Sequence, residues 1–303
     1  MKKVLVTGAS GFIGRHCLPI LGAKEFEVHA VATGPRSDLD VAVHWHFADL
    51  LDGYEVRVLM DAVRPTHLLH LAWYAVPGRY WTATENLDWV AASLDLLKAF
   101  ANHGGSRIVI AGTCAEYDWS EGLCSENATQ LAPSTLYGTC KHALRVIVDA
   151  YAAQNNLSAA WGRLFFLYGP HEYPQKLVSA IIRSLLSNER AKCTAGDQKR
   201  DFLFVQDAAS AFAALLDSNL QGPVNIASGQ AIAVKEVIAK TAELLSRPEL
   251  IDYGALPPPP SEPSLVVADV KRLKEELRWS PSHDLTDGLL KTIDWWRGEL
   301  AQL

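Results

Sequence analysis

The chain opens on the apolar run Val4-Leu5-Val6, held between Lys3 and Thr7, and similar short runs recur at Glu27 to Ala32, Val43 to Phe47, His67 to Ala72, Arg107 to Ala111 and Ser158 to Phe166. Runs of four to eight residues with no helical period read as buried parallel strands. Between them lie longer amphipathic stretches that predict helices up to about Ala23, near Asp52 to Val63, from about Thr84 to His103 and from about Thr135 to Asn155. Strands alternating with helices of these lengths predict an α/β fold with a doubly wound parallel sheet. Near residue 166 the punctuation changes, with longer loops, a helix about Lys176 to Leu186 and another from Asp207 to Asp217. We therefore expect one unit over residues 1–165 and a smaller mixed α/β unit over 166–303, with a strand-helix stretch near 203–217 packing back on the first sheet. Pro257 to Pro260 reads as a rigid surface connector.

The first strand runs directly into Gly8-Ala9-Ser10-Gly11-Phe12-Ile13-Gly14 and then a helix. A glycine-rich turn in that position lets the backbone approach a pyrophosphate lying on the helix N-terminus, and Gly14 lets the helix pack close to the sheet. The context makes the sheet Rossmann-type and the first unit a candidate dinucleotide-binding domain; a tight turn without a ligand is the alternative. The second strand ends at Thr33-Gly34-Pro35-Arg36, with no carboxylate before Asp38. A hydroxyl and a guanidinium where NAD sites usually carry an acid favour a 2′-phosphate and hence NADP. NAD stays open, since Arg36 could be solvated and Asp38 could fold back.

Thr113 falls just past the carboxyl end of the strand from Arg107, where open α/β sheets place their ligands. About two dozen residues later comes Tyr137-Gly138-Thr139-Cys140-Lys141. On a helix, residues four apart share a face about 6 Å apart. A nearby ammonium stabilises phenolate and lowers a pKa that starts near ~10, so Tyr137 is a candidate acid-base group; a solvated helix face is the alternative.

Composition narrows the partners. Of 303 residues 49% are hydrophobic and 20% charged, which suits a soluble globular chain, and a net charge of −6 argues against nucleic acid or an anionic membrane. The five cysteines, Cys17, Cys114, Cys124, Cys140 and Cys193, show no metal-ligand spacing and read as reduced; no metal is expected. The N-terminus has only three apolar residues before Thr7-Gly8, too few for an export signal, and no apolar run nears the ~20 needed to span a bilayer. The expected location is the cytoplasm.

With these pieces in place, the chain resembles the extended short-chain dehydrogenase/reductase family, in particular its nucleotide-sugar epimerases, dehydratases and ketoreductases. The resemblance runs almost end to end. It is carried by Thr7 to Gly14, Asp49-Leu50, His70-Leu71-Ala72, Asn86, Thr113, Tyr137 with Lys141, Arg163, Tyr168-Gly169-Pro170, Arg200-Asp201-Phe202 with Val205 and Asp207, Asn225 to Gly229, and Asp269 with Leu277 to Pro281. It implies that Gly8, Gly11, Phe12, Ile13 and Gly14 hold a pyrophosphate, that Asp49 and Leu50 face the adenine, and that Leu71, Ala72 and Trp73 line the path to the nicotinamide. It implies Tyr137 as proton donor or acceptor, Lys141 as holder of the nicotinamide ribose, and Thr113 as the hydroxyl on the reacting oxygen. Arg200 matches a family arginine near the substrate phosphates, a structural pair with Asp201 or Asp207 being the alternative. The resemblance also implies a homodimer through the helices at 84–103 and 135–155, unless both are merely buried.

Departures from the family pattern narrow the reaction. Dehydratases carry Thr-Asp-Glu where this chain has Thr113-Cys114-Ala115, so elimination is disfavoured and Cys114 faces the substrate side instead. Trp73 to Trp81 holds four aromatics in nine residues, and Tyr74 and Trp81 are candidates for stacking on a sugar. His171 is a further substrate-side candidate, and Glu116 reads as a structural hydrogen-bonder. The function expected from this pattern is NADP-dependent reduction of a 4-keto-6-deoxy sugar nucleotide with Tyr137 as proton donor. The alternatives are an NAD-dependent 4-epimerase with tightly held cofactor and, more distantly, a non-catalytic nucleotide-binding regulator.

Overall fold

Seven parallel strands form the central sheet of the computed structural model, which describes residues 2–34, 43–259 and 262–302. They are β1 (Lys3–Thr7), β2 (Glu27–Ala32), β3 (His44–Phe47), β4 (His67–His70), β5 (Arg107–Thr113), β6 (Ser158–Leu164) and β7 (Gly222–Ile226), standing in the order β7-β6-β5-β4-β1-β2-β3. The order reverses between β1 and β4, so the connections leave these two strands in opposite directions. A crevice therefore opens at their carboxyl ends.

Helices α1 (Gly14–Ala23), α2 (Gly53–Val63), α3 (Glu85–Asn102) and α4 (Leu136–Asn155) follow the first strands. Strand residues alternate between two cores, as a pleated sheet covered on both faces requires. On one face Val4, Val6, Leu69 and Val109 meet Leu18 and Leu21 of α1. On the other, Leu5, Leu68 and Ile110 meet Met60 of α2, Phe100 of α3 and Leu144 of α4.

Beyond residue 166 come α5 (Leu177–Leu186), α6 (Val205–Leu216), α7 (Val234–Leu244) and α8 (Leu285–Leu300). Helix α6 returns to the sheet and buries Ala208, Phe212 and Leu215 in the core shared with α1. The strand just before it, Phe202–Phe204, pairs instead with Phe166–Tyr168 in a separate ribbon. The strand that extends the main sheet is β7, paired with β6 from Gly222 opposite Ala160 to Ile226 opposite Leu164. Helices α5, α7 and α8 enclose a third core around Ile182, Val237, Ile238 and Ile293. A four-stranded mixed sheet joins Leu123–Cys124, Lys199–Arg200, Ile232–Ala233 and Leu265–Ala268. Among the described residues no helix is long and apolar enough to cross a membrane.

Candidate active site

The turn after β1 is shaped by contacts that only glycine tolerates. Gly8 sits at φ +63, and a Cβ there would lie 2.8 Å from the Ala72 amide nitrogen; a Cβ on Gly14 would lie 2.2 Å from the Gly8 carbonyl oxygen. Helix α1 thus starts hard against the turn, and no side chain caps it. An uncapped N-terminus with its unmet N–H groups beside a bare backbone turn fits a pyrophosphate. Phe12 and Ile13 are half-buried and pack on the third core.

Behind the turn a hydrogen-bond relay holds β4 in place. The Ala72 N–H donates to Thr7 Oγ1 at 3.3 Å, Thr7 Oγ1 is 2.7 Å from His70 Nδ1, His70 Nε2 is 2.9 Å from Ser93 Oγ, and Ser93 donates to the Trp89 carbonyl at 2.6 Å. Each hydroxyl has one proton, so Thr7 donates to Nδ1 and His70 carries its proton on Nε2. Burial first, and then the Lys141 charge, push the His70 pKa down to about 3, so the ring stays neutral and the relay keeps one direction. Its effect is to place Leu71 and Ala72 over Gly8.

On the ribose side, Thr33 lies exposed just past β2, while Arg36 falls outside the described residues. Asp49, also exposed, accepts the Leu51 N–H at 2.9 Å, and Leu50 is buried in the core beneath. The cradle from Gly8 to Gly14 with Leu71 and Ala72 above it fits a dinucleotide. Thr33, Asp49 and Leu50 stand at the adjoining strand ends.

Thr113, Tyr137 and Lys141 come together at the carboxyl end of β5. Thr135 caps α4 by accepting the Gly138 N–H at 3.1 Å. A Cβ on Gly138 would lie 2.4 Å from the Ala115 carbonyl oxygen, so this glycine lets α4 lie directly on the turn that follows Thr113. The Tyr137 hydroxyl is thereby brought into a hydrogen bond with the Thr113 side chain. Burial raises the Tyr137 pKa and the bond to Thr113 offsets part of that rise. Lys141 is buried, donates from Nζ to the Ala111 carbonyl at 2.9 Å, and lies 3.7 Å from the centre of the Trp73 ring. Burial lowers its pKa to about 7, with the Glu116 carboxylate acting the other way. The pair expected from spacing to ease ionisation of the phenol therefore shifts in the reverse sense. Lys141 is buried and Tyr137 half-buried, and desolvation penalises phenolate and ammonium alike.

The floor of this site is a charged network that links β5, β6 and β7. Glu116 accepts the Thr113 N–H at 3.0 Å, Trp161 Nε1–H at 2.7 Å and Arg163 Nε–H at 2.9 Å. Arg163 donates to the Tyr117 hydroxyl at 2.8 Å, which donates to Asn225 Oδ1 at 2.8 Å. Burial opposes the Arg163 charge, yet Glu116 and Tyr117 outweigh it and raise its pKa. Gly112 belongs to the same arrangement, since a Cβ there would meet Trp161 Nε1 at 2.0 Å. The structural role expected of Glu116 is thus visible in its bonds, and it sets the turn that presents Thr113.

The aromatic segment lies over the tyrosine. Trp73 Nε1–H donates to Asn86 Oδ1 at 2.8 Å, and Asn86 in turn donates to the Tyr80 and Ala83 carbonyls. This staple sets Tyr80 and Trp81 edge-on to Tyr137 at ring separations of 5.0 and 5.8 Å. Beside them opens a cavity of about 530 Å³, lined by Trp81, Ala115, Tyr117, Trp119, Thr135 and Ser264 among others. That volume suits a small-molecule site. Tyr74 is half-buried, and Cys114 is buried in the turn after β5, where burial raises its thiol pKa and keeps it neutral.

His171 is placed elsewhere. Its Nδ1 lies 2.8 Å from Arg15 Nη1 and its ring 4.6 Å from Trp295, at the junction of α1 and α8, and it does not line the cavity. Arg200 is buried and donates to Glu262 at 2.9 Å and to the Lys199 carbonyl at 2.8 Å. Its partner is neither Asp201, which holds the Ser228 and Gly229 amides, nor Asp207, which holds those of Ser282 and His283. Sequence reasoning missed Gly112 and Gly138 as close-approach positions and Glu262 as the partner of Arg200. The two glycines carried a signal, as each adjoins a candidate catalytic residue; Glu262 is 62 residues from its partner and carried none.

Sequence similarity to known proteins extends over nearly the whole chain. The chain is 28% identical to an uncharacterized UDP-glucose epimerase, YtcB, of Bacillus subtilis, over 96% of each sequence. It is 27% identical to UDP-glucose 4-epimerase of Thermus thermophilus, solved in complex with NAD, with a TM-score of 0.85 over 98% of this chain and 99% of the other. It is 30% identical to MoeE5, solved with UDP-glucuronic acid and NAD, with a TM-score of 0.83 over the same shares. The model of the NAD dependent epimerase/dehydratase family matches residues 4–227, and the chain belongs to that family.

Proposed function

We propose that the chain is an NAD-dependent epimerase that inverts C4 of a UDP-sugar. The observation that carries this reading is the meeting of Thr113, Tyr137 and Lys141 behind a 530 Å³ cavity that their neighbours Trp81, Ala115 and Thr135 line, in a chain similar from end to end to UDP-glucose epimerases. NAD, when bound, supplies a hydride acceptor and returns the hydride to the other face of the sugar. Tyr137 takes the proton of the sugar hydroxyl as its carbon is oxidised and gives it back on reduction, and Thr113 hydrogen-bonds the same oxygen. Lys141, buried one helical turn from the tyrosine, holds the ribose of the cofactor. Arg200 meets the substrate diphosphate, for which it exchanges Glu262. Exposed Leu87 on α3 and Val146 and Ile147 on α4 support a homodimer through those helices.

Ketoreduction with NADPH is the second reading, favoured by Thr33 standing where an NAD site usually carries an acid. The comparisons support the epimerase at least as well, since the relatives named above are epimerases or NAD complexes. Incubation with UDP-glucose, UDP-N-acetylglucosamine and UDP-glucuronic acid, followed by separation of C4 epimers, tests the proposal. Interconversion without net change in NADH is the expected result. Stoichiometric NADPH consumption with a 4-keto sugar nucleotide, and no epimer from any of the three, would transfer the assignment to the reductase.

A further inference from the structure

At the amino-terminal ends of β2 and β3, on the opposite rim from Tyr137, four side chains gather that the reaction does not use. Glu27 and His29 are two apart on β2, His44 and His46 two apart on β3, and His29 pairs directly with His44 across the strands. Residues two apart share a face, so all four project together, on the face that also carries Leu5 and Val31. One ligand atom each of Glu27, His29 and His44 lies within 4.8 Å of the others. His29 Nε2 is 2.9 Å from Glu27 Oε1 and its Nδ1 is 2.8 Å from His46 Nε2. The rings of His44 and His46 stack on His29 with centroids 4.9 and 5.1 Å away.

Three stacked imidazoles repel one another when protonated, whereas neutral imidazoles and a carboxylate are the donor set of zinc-class ions. We propose that Glu27, His29 and His44 bind one divalent transition-metal ion of the zinc class, with His46 as the positioning partner of His29. Protons balance without loss. In the metal-free cluster His29 Nε2–H donates to Glu27 and His46 Nε2–H donates to His29 Nδ1. In the bound form the His29 Nε2 lone pair faces the ion, its proton sits on Nδ1 and donates to His46 Nε2, and His46 carries its proton on Nδ1. Lys3 Nζ, 3.3 Å from Glu27 Oε1, is the competing cation, and the ion takes its place or the second carboxylate oxygen. Such an ion would tie the edge strand β3 to β2, whose far ends carry Thr33 and Asp49.

The experiment uses the untagged full chain, dialysed against chelator and titrated with cobalt(II) chloride and zinc sulfate by absorbance and calorimetry. The expected result is saturable binding of about one ion per chain, d–d bands of nitrogen and oxygen ligands without a thiolate band, and a rise in Tm. His44→Gln, at an exposed position, abolishes it, and His46→Phe weakens it about 10- to 100-fold. Turnover of the loaded and metal-free protein is the same. Absence of saturable cobalt binding, binding unchanged in His44→Gln, or a thiolate band would overturn the proposal.

Discussion

Replacing Lys141 with methionine keeps an apolar stem of similar length in the same pocket and removes only the charged head. An amine that ordinarily titrates at 10.5 and here titrates at about 7 carries a charge that its buried site disfavours by about 5 kcal/mol. Below pH 7 the lysine is protonated both folded and unfolded, so this cost is fully present. Between about 7 and 10.5 the unfolded chain binds the extra proton, and the cost fades as pH rises. Methionine has no such cost, but it loses the bond to the Ala111 carbonyl and the contact with Trp73, together about 2–3 kcal/mol. Lys141→Met is therefore expected to gain about 2 kcal/mol below pH 7, a Tm rise of roughly 3 °C for a chain of 303 residues. Thermal unfolding of dinucleotide-free wild type and variant, followed by circular dichroism at about pH 6.5 and 9.5, measures it. A variant less stable than wild type at the lower pH, or a gain that does not shrink at the higher one, would refute the reasoning. The same variant should lose turnover, so stability and activity move in opposite directions, as they do where a functional group is held in an unfavourable site.

Tyr137→Phe should lower turnover by about 10²- to 10⁴-fold while leaving NAD binding and Tm close to wild type, which steady-state kinetics and dinucleotide titration would check. Gly14→Ala puts a methyl 2.2 Å from the Gly8 carbonyl oxygen, and separating α1 from the turn should cost about 1–3 kcal/mol in urea unfolding and weaken NAD binding. Glu116→Gln leaves Arg163 without its buried counter-ion and should cost about 3–5 kcal/mol; adding Arg163→Met should recover part of that loss in a double-mutant cycle.

The chemistry depends on how the two cores divide the work. The sheet and its flanking helices bury the apolar faces that fix α4 against β5, and the network of Glu116 and Arg163 then sets the turn between them. Thr113 and Tyr137 meet because both supports are rigid. The aromatic staple at Asn86 lays Trp73 on Lys141 and sets Trp81 edge-on to Tyr137, so one segment packs against both candidate groups.

Strand and helix placement was legible in the sequence because it depends on short-range periodicity: the helix expected from about Thr135 spans Leu136–Asn155, and that expected at 84–103 spans Glu85–Asn102. The glycine turn was legible for the same reason, since Gly8 to Gly14 is a local backbone requirement. Tyr137 and Lys141 could be paired from a single helical turn. Their electrostatics could not, because desolvation by Ala111, Trp73 and the sheet comes from residues dozens of positions away, and it reversed the direction expected for Tyr137. Distant partners likewise decided that Arg200 faces Glu262, that His171 packs on Arg15, and that Gly222–Ile226 completes the sheet. The histidines of β2 and β3 became a cluster only through strand register. Local pattern determines which elements form, but which side chains lose water, and beside which charges, is settled when elements remote in sequence are pressed together.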